Sequence, residues 1–338
     1  MKLQWLKLEN SVPNAFLYAH ISHGGLDIPC LRTLIPRLRL SRLTALNRSS
    51  HIGTQWLLST DYHRKELAKT SALCVFDDTT IEDAAHETEY WSRTLHNTVD
   101  GAHLKHTHLT PFTNDWVKGT PYLSGREYIN LIKLRINALP TRARLARGRP
   151  GYDKFCRHGC NAVETLAHIA QVCDHTHRPI IKRHDDICER VTRLLRAKGM
   201  QVERERTFRR PAAPARRPDL VITTPTRVWV LDAEVCGPSR DLALARRDKI
   251  RKYDIPGVRD QLPSSLPHRF GSITVSMTGV WEPESVKDLL TLGLSKKNLI
   301  DLTVLAMQGT LRVFRAHRDH KSWVRRGGGA GELTGRRF

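Results

Sequence analysis

Three acidic residues and a lysine are spaced so that they could act on a phosphodiester. Pro218-Asp219 opens a short apolar run, Leu220-Val221-Ile222. Asp232 and Glu234 stand two apart at the end of a second run that begins Val228-Trp229-Val230-Leu231. Side chains two apart on a strand point to the same face. The turn Thr224-Pro225-Thr226 between the runs makes them a hairpin, so Asp219 lies across from Asp232 and Glu234. Carboxylates converging at strand ends form an oxygen-ligand site for Mg2+, and such a metal generates a nucleophile and neutralises charge at a scissile phosphate. Lys249 follows on a predicted helix over Asp241 to Tyr253, with Lys252 and Tyr253 three and four residues on and on the same side. A lysine there can orient the attacking water or screen the developing charge. Each residue alone has an ordinary reading as a surface acid or a solvated helix face; the combination is the signal.

A second constellation is Cys156, Cys160, His168 and Cys173, in the pattern C-x3-C-x7-H-x4-C. Three thiolates and an imidazole suit tetrahedral Zn2+, and four protein ligands close the site, which makes it structural rather than catalytic. In so short a module the metal replaces a hydrophobic core. The first two cysteines bracket a turn at Gly159, and His168 and Cys173 belong to a helical run from Glu164; His175 and His177 are alternative ligands.

The chain that carries these groups has 338 residues, 55 Lys plus Arg against 34 Asp plus Glu, and a formal net charge of +21. Such an excess favours a polyanionic partner. No apolar stretch approaches a membrane span, the N-terminus lacks the apolar core of a signal peptide, and seven cysteines with ligand-like spacing indicate a reducing compartment. Membrane, secreted and collagen-like classes are excluded. Between Tyr128 and Tyr152 there is no acid, and Lys133, Arg135, Arg142, Arg144, Arg147 and Arg149 fall within it. This segment is expected to lie along a phosphate backbone.

The elements that must position these groups follow from periodicity. Leu31, Leu34, Ile35, Leu38, Leu43 and Leu46 predict helix, broken or begun near Pro36. Asp77-Asp78 is expected to start an acidic linker helix. Gly125 to Leu139 predicts an amphipathic helix ended by Pro140. After the hairpin and the helix over Asp241 to Tyr253 come a strand at Ile273–Met277 and helices at Val286–Leu290 and Leu299–Leu305. The fold class is mixed α/β. The expected division is a helical region over 1–70, a helical linker over 71–150, the zinc module over 151–185, an α/β domain over 200–323, and a disordered basic tail over 324–338.

The acidic cluster resembles the PD-(D/E)xK nuclease arrangement, with one departure: Glu234 occupies the position normally held by lysine, so the lysine arrives from the helix as Lys249. The order of motifs extends the resemblance to nearly the whole chain. GGLDIPCLR (24–32) is followed by SGREYINLIKLRINALPTRARLARGR (124–149), the Cys156–His184 knuckle, RPDL (217–220), the VLDAEV motif around Asp232, and KIRKYDIP (249–256). The sequence resembles the C-terminal part of the Pol polyprotein of R-two-clade non-LTR retrotransposable elements, which insert into ribosomal RNA genes. The resemblance implies that 1–70 is the thumb-like end of a reverse transcriptase whose catalytic palm is absent. It implies a restriction-like endonuclease at Asp219, Asp232 and Lys249, with Glu234 auxiliary and Lys252 and Tyr253 supporting. It further implies Mg2+ at Asp219 and Asp232, Zn2+ in the knuckle, and target DNA, element RNA and the rest of the polyprotein as partners, acting in the nucleus. The alternative is an inactive nucleic-acid-binding module.

Overall fold

The structure is a computed structural model that describes residues 6–119, 121, 123–210 and 213–319. The predicted tail over 324–338 lies outside them. Among the described residues no helix is long and apolar enough to cross a membrane.

The first half is helical: α1 (Asn14–Tyr18), α2 (Leu31–Leu46), α3 (Ile52–Leu58) and α4 (Asp61–Leu73). The break expected near Pro36 does not occur, and α2 runs unbroken through it. A proline at the sixth position forfeits only the bond to the Arg32 carbonyl. Glu87 grips the helix on both sides of it, accepting from Thr33 Oγ1 and from Arg37 Nε at 2.8 Å. The short strands β1 (Val75–Phe76) and β2 (Thr79–Thr80) form a hairpin, with α5 (Ala84–His96) behind it. Asp77-Asp78 is therefore a turn and not a helix start. Both residues are left-handed, with φ of 42° and 59°, the geometry a two-residue hairpin loop requires and Asp tolerates. The acidic helix begins later, where the Asp83 side chain accepts from the His86 amide.

A capping box between Ser124 and Glu127 starts α6 (Gly125–Arg135). This helix stops four residues before the expected Leu139. Asn137 takes φ 52° and turns the chain, so Pro140 lies beyond the end rather than causing it. The short α7 (Arg142–Leu145) precedes the cysteine module, and α8 (His177–Arg196) follows it.

The second half is built on a sheet of β3 (Gln201–Arg204), β6 (Leu220–Thr223), β7 (Val228–Cys236) and β8 (His268–Ser276), in the order β3-β6-β7-β8. A separate arginine-bearing pair, β4 (Phe208–Arg210) and β5 (Ala213–Arg216), precedes β6. The predicted hairpin is β6–β7, with Leu220 opposite Leu231 and Thr223 opposite Val228. β8 runs parallel to β7, and the crossover carries α9 (Leu242–Tyr253) and α10 (Pro256–Arg259). Helices α11 (Pro283–Thr291) and α12 (Lys296–Arg318) close the chain, and α12 is far longer than the expected Leu299–Leu305.

Strand alternation divides β7 between two cores. Trp229, Leu231, Ala233 and Val235 face a large core with Ile187 and Val191 of α8 and Leu302 and Met307 of α12. Val228 and Val230 face a smaller one with Tyr253, Val258 and Phe270. Asp232 and Glu234 continue this second row, so they emerge where the small core ends and α9 passes over. The large core is continuous from Leu6 and Phe16 through Trp116, Leu131 and Ile169 to Phe314, and packing therefore crosses the expected segment borders.

Candidate active site and metal centre

Asp219 immediately precedes β6. Because Leu220 pairs with Leu231, Asp219 falls beside Asp232 and on the same face. Asp219 Oδ2 accepts from the Ala233 amide at 2.7 Å and contacts His184 Nε2 at 3.0 Å. Asp232 is 3% exposed. Its Oδ2 lies 2.7 Å from Lys249 Nζ, and the same ammonium is 3.8 Å from Glu234 Oε2. The Tyr253 hydroxyl donates to the Arg217 carbonyl at 3.1 Å and lies beside Asp232. Asp219, Asp232, Glu234, Lys249 and Tyr253 are thus brought together. Lys252 is not: it is exposed, and its Nζ lies 5.0 Å from the centroid of the Tyr253 ring, because a three-residue step turns it outward from Lys249.

The electrostatics are those of charges confined together. Burial pushes the Asp232 carboxyl up and the Asp219 charge adds to this, with Lys249 and Tyr253 opposing. At Asp219 burial acts in the same sense, but His184, the Ala233 amide and Lys249 outweigh it and hold the carboxyl below its usual range. Lys249 is half-buried, which lowers it, and Asp232 raises it in spite of that. Burial and the Asp232 charge raise the Tyr253 phenol well above its ordinary value, so it stays protonated. Two neighbouring carboxylates, the buried Asp232 pushed up by the charge of the half-buried Asp219, with oxygens on one face, fit a hard divalent cation. His184 was not anticipated. Its signal was a His-x3-Cys spacing, which places His184 and Cys188 on one side of the strongly amphipathic α8.

Cys156, Cys160, His168 and Cys173 also come together, with one ligand atom from each within 4.8 Å of the others. Cys173 Sγ is 3.6 Å from Cys160 Sγ and 4.0 Å from Cys156 Sγ. The run holding His168 is a π-helical turn over His168–Val172, closed by the Cys173 amide on the His168 carbonyl at 3.0 Å. Its wide pitch lets residues five apart face the same point. His168 Nε2 is buried with no hydrogen-bond partner, and burial and neighbouring thiols push Cys173 up to about 12. An orphaned imidazole nitrogen aimed at three crowded thiols fits Zn2+, which turns both costs into bonds. Neither alternative ligand joins the group: His175 stacks on His158 at 3.6 Å, and His177 begins α8.

The module is braced from outside. Glu164 is fully buried and accepts from Arg157 Nε at 2.9 Å, Arg157 Nη2 at 2.7 Å, and the amides of Arg157 and Arg142 at 3.1 and 3.0 Å. From α12, His317 Nε2 reaches to 3.4 Å from Cys156 Sγ.

The acid-free basic segment is not one solvent-facing stripe. Arg135 is wholly buried and donates to the carbonyls of Gly24 and Thr278 and to the Asn114 side chain. Arg144 is buried against Glu9 and Asp100. Arg147 forms two bonds of 2.8 Å to Asp100, and Arg142 pairs with Asp153 at 2.6 Å. The expectation that all six cations face phosphate is therefore corrected. Arg135 and Arg144 neutralise or saturate buried groups remote in sequence, Lys133 is half-buried, and Arg147 and Arg149 are exposed.

A mixed α/β chain with a Cys3His cluster and a carboxylate–lysine cluster has relatives among the Pol polyproteins of mobile elements. No protein-family model matches the chain. It is 34% identical over 319 residues, 92% of its length, to a retrovirus-related Pol polyprotein from the type-2 retrotransposable element R2DM of Drosophila melanogaster, of which it covers 30%. It is 32% identical to a Pol polyprotein from a type-1 retrotransposable element R2 of Bradysia coprophila, covering 91% of the chain and 36% of that protein. A Popillia japonica R2 Pol polyprotein is 29% identical over 96% of the chain and 67% of its own length. The chain is homologous to a segment of R2 retrotransposon Pol polyproteins. It spans about a third of the length of the first two.

Proposed function

We propose that this segment is a divalent-metal-dependent DNA endonuclease of an R2-type element, nicking target DNA to prime reverse transcription in the nucleus. Its partners on this reading are target DNA in the ribosomal RNA genes, the element RNA and the remainder of the polyprotein. The observation that carries the reading is the meeting of Asp219, Asp232, Glu234 and Lys249 on one strand face at the end of the small core, with Lys249 Nζ 2.7 Å from Asp232. Asp219 and Asp232 would hold Mg2+, and a bound Mg2+ supplies an activated nucleophile and charge neutralisation at the phosphate. Lys249 sits where an ammonium can release Asp232 and turn to the phosphate or the attacking water. Tyr253 stands beside Asp232 with its ring in the small core. The zinc module is tied to α7 through Glu164 and to α12 through His317. Arg209, Arg216 and Arg217 fall in the stretch just before Asp219, which holds no acid between residues 206 and 218. That arrangement favours a phosphate backbone over the site.

The test is relaxation of a supercoiled plasmid with Mg2+ or EDTA. We expect Mg2+-dependent nicking that Asp219→Ala abolishes while DNA binding persists. Undiminished cleavage by that variant refutes the assignment. A second reading, a binding module without catalysis, draws on the same ion pairs, since His184 and Lys249 already neutralise the two aspartates; the absence of nicking by the parent chain would favour it.

A further inference from the structure

His184 and Cys188 stand one turn apart on α8, and both lie close to the Asp219 carboxylate. His184 Nε2 is 3.0 Å from Asp219 Oδ2 and 3.9 Å from Cys188 Sγ. All three ligand atoms lie within 4.8 Å of one another. Zinc bonds of about 2.0–2.3 Å in a tetrahedron set ligand atoms about 3.3–3.6 Å apart. The 3.0 and 3.9 Å contacts bracket that spacing, so small side-chain rotations close it. Cys188 is fully buried, whereas the His184 side chain is 31% exposed and leaves a way in from solvent.

We propose that His184, Cys188 and Asp219 form a second metal site, selective for a soft cation such as Zn2+, and that filling it withdraws Asp219 from the Mg2+ site. The inhibitory consequence rests on the endonuclease reading; the binding itself does not. One carboxylate and one thiolate offset the two charges of Zn2+, the Cys188 thiol proton leaving to solvent as the metal binds. Ligand softness sorts the cations: thiolate and imidazole select zinc, whereas carboxylates and water suit magnesium. Asp219 belongs to both sets, so the two cations compete for it.

The whole chain, given one equivalent of zinc to fill the Cys3His cluster, is titrated with Co2+ while thiolate-to-cobalt absorption is followed. A second equivalent is expected to bind with a single-thiolate signature. Cys188→Ser removes that signature and weakens the second site at least about tenfold, as does His184→Ala. Cys188→Ala, which buries no new hydroxyl, gives the same result in a chain with unchanged circular dichroism. In parallel, zinc beyond one equivalent suppresses Mg2+-dependent nicking, and Cys188→Ser raises the zinc required at least about tenfold. Saturation at one metal per chain, or a Cys188→Ser variant that binds the second cobalt like the parent, overturns the proposal. A second cobalt site in a chain that never nicks upholds the site and refutes only the endonuclease reading.

Discussion

Replacing Glu164 by glutamine removes one charge from the centre of the cysteine module and leaves its shape almost unchanged. The carboxylate is fully buried and accepts four hydrogen bonds, two from the Arg157 guanidinium and one each from the Arg157 and Arg142 amides. Burial alone would raise it, but Arg157 and the two amides prevail and hold it down to about 2. Against an ordinary value of about 4.5, that depression corresponds to roughly 3 kcal/mol favouring the charged folded form. The contribution is fully present above about pH 4.5 and is lost as the pH falls toward 2. Glutamine cannot accept at both positions and sets an amide N–H against donors, so Glu164→Gln is expected to cost about 3 kcal/mol at neutral pH. Urea unfolding of both proteins at matched zinc reads the difference, and the gap should narrow as the pH falls below 4.5. The same comparison in the presence of a chelator separates this term from zinc release on acidification. A loss under about 1 kcal/mol at neutral pH, or a gap that does not change with pH, would refute the reasoning.

The other predictions concern cations and metal. Arg135→Ala should destabilise the chain by leaving two carbonyls and the Asn114 amide oxygen without their donor, with no change in the salt slope of DNA binding at temperatures where it is folded. Arg149→Ala should do the reverse, preserving stability and lowering that slope by about 1; equal effects of both variants on binding would contradict the division between buried and exposed arginines. Cys173→Ser should fail to retain zinc on dialysis and unfold at a lower temperature, read by metal analysis and calorimetry. Lys249→Met should slow nicking by about 10²- to 10⁴-fold with DNA affinity preserved, and an unaltered single-turnover rate would remove Lys249 from the site.

Much of the site could be read from local pattern. Two-residue spacing put Asp232 and Glu234 on one face, the Thr224–Thr226 turn fixed the hairpin, and helical spacing aligned Lys249 with Tyr253. Each inference needed only neighbours in sequence. What escaped depended on distant partners. A run of arginines reads the same whether it meets water or acids, and the acids that bury Arg144 are Asp100 and Glu9, 44 and 135 residues away. His184 lies 35 residues before Asp219 on an element that precedes the sheet, so nothing local ties it to the aspartate. The π turn at His168 and the left-handed pair Asp77-Asp78 are backbone choices that residue type allows but does not compel. Pro36 was over-read, because the loss of one helical bond is offset by the grip of Glu87 on both sides.

The most direct measurement is a single-turnover nicking rate for Asp232→Asn beside the parent chain, with DNA affinity determined in the same samples. The buried carboxylate that Lys249 touches at 2.7 Å should be indispensable, so cleavage should fall to the EDTA background while affinity changes little. A variant that nicks at the parental rate, or one that loses cleavage only in proportion to lost binding, would contradict an active centre at this place.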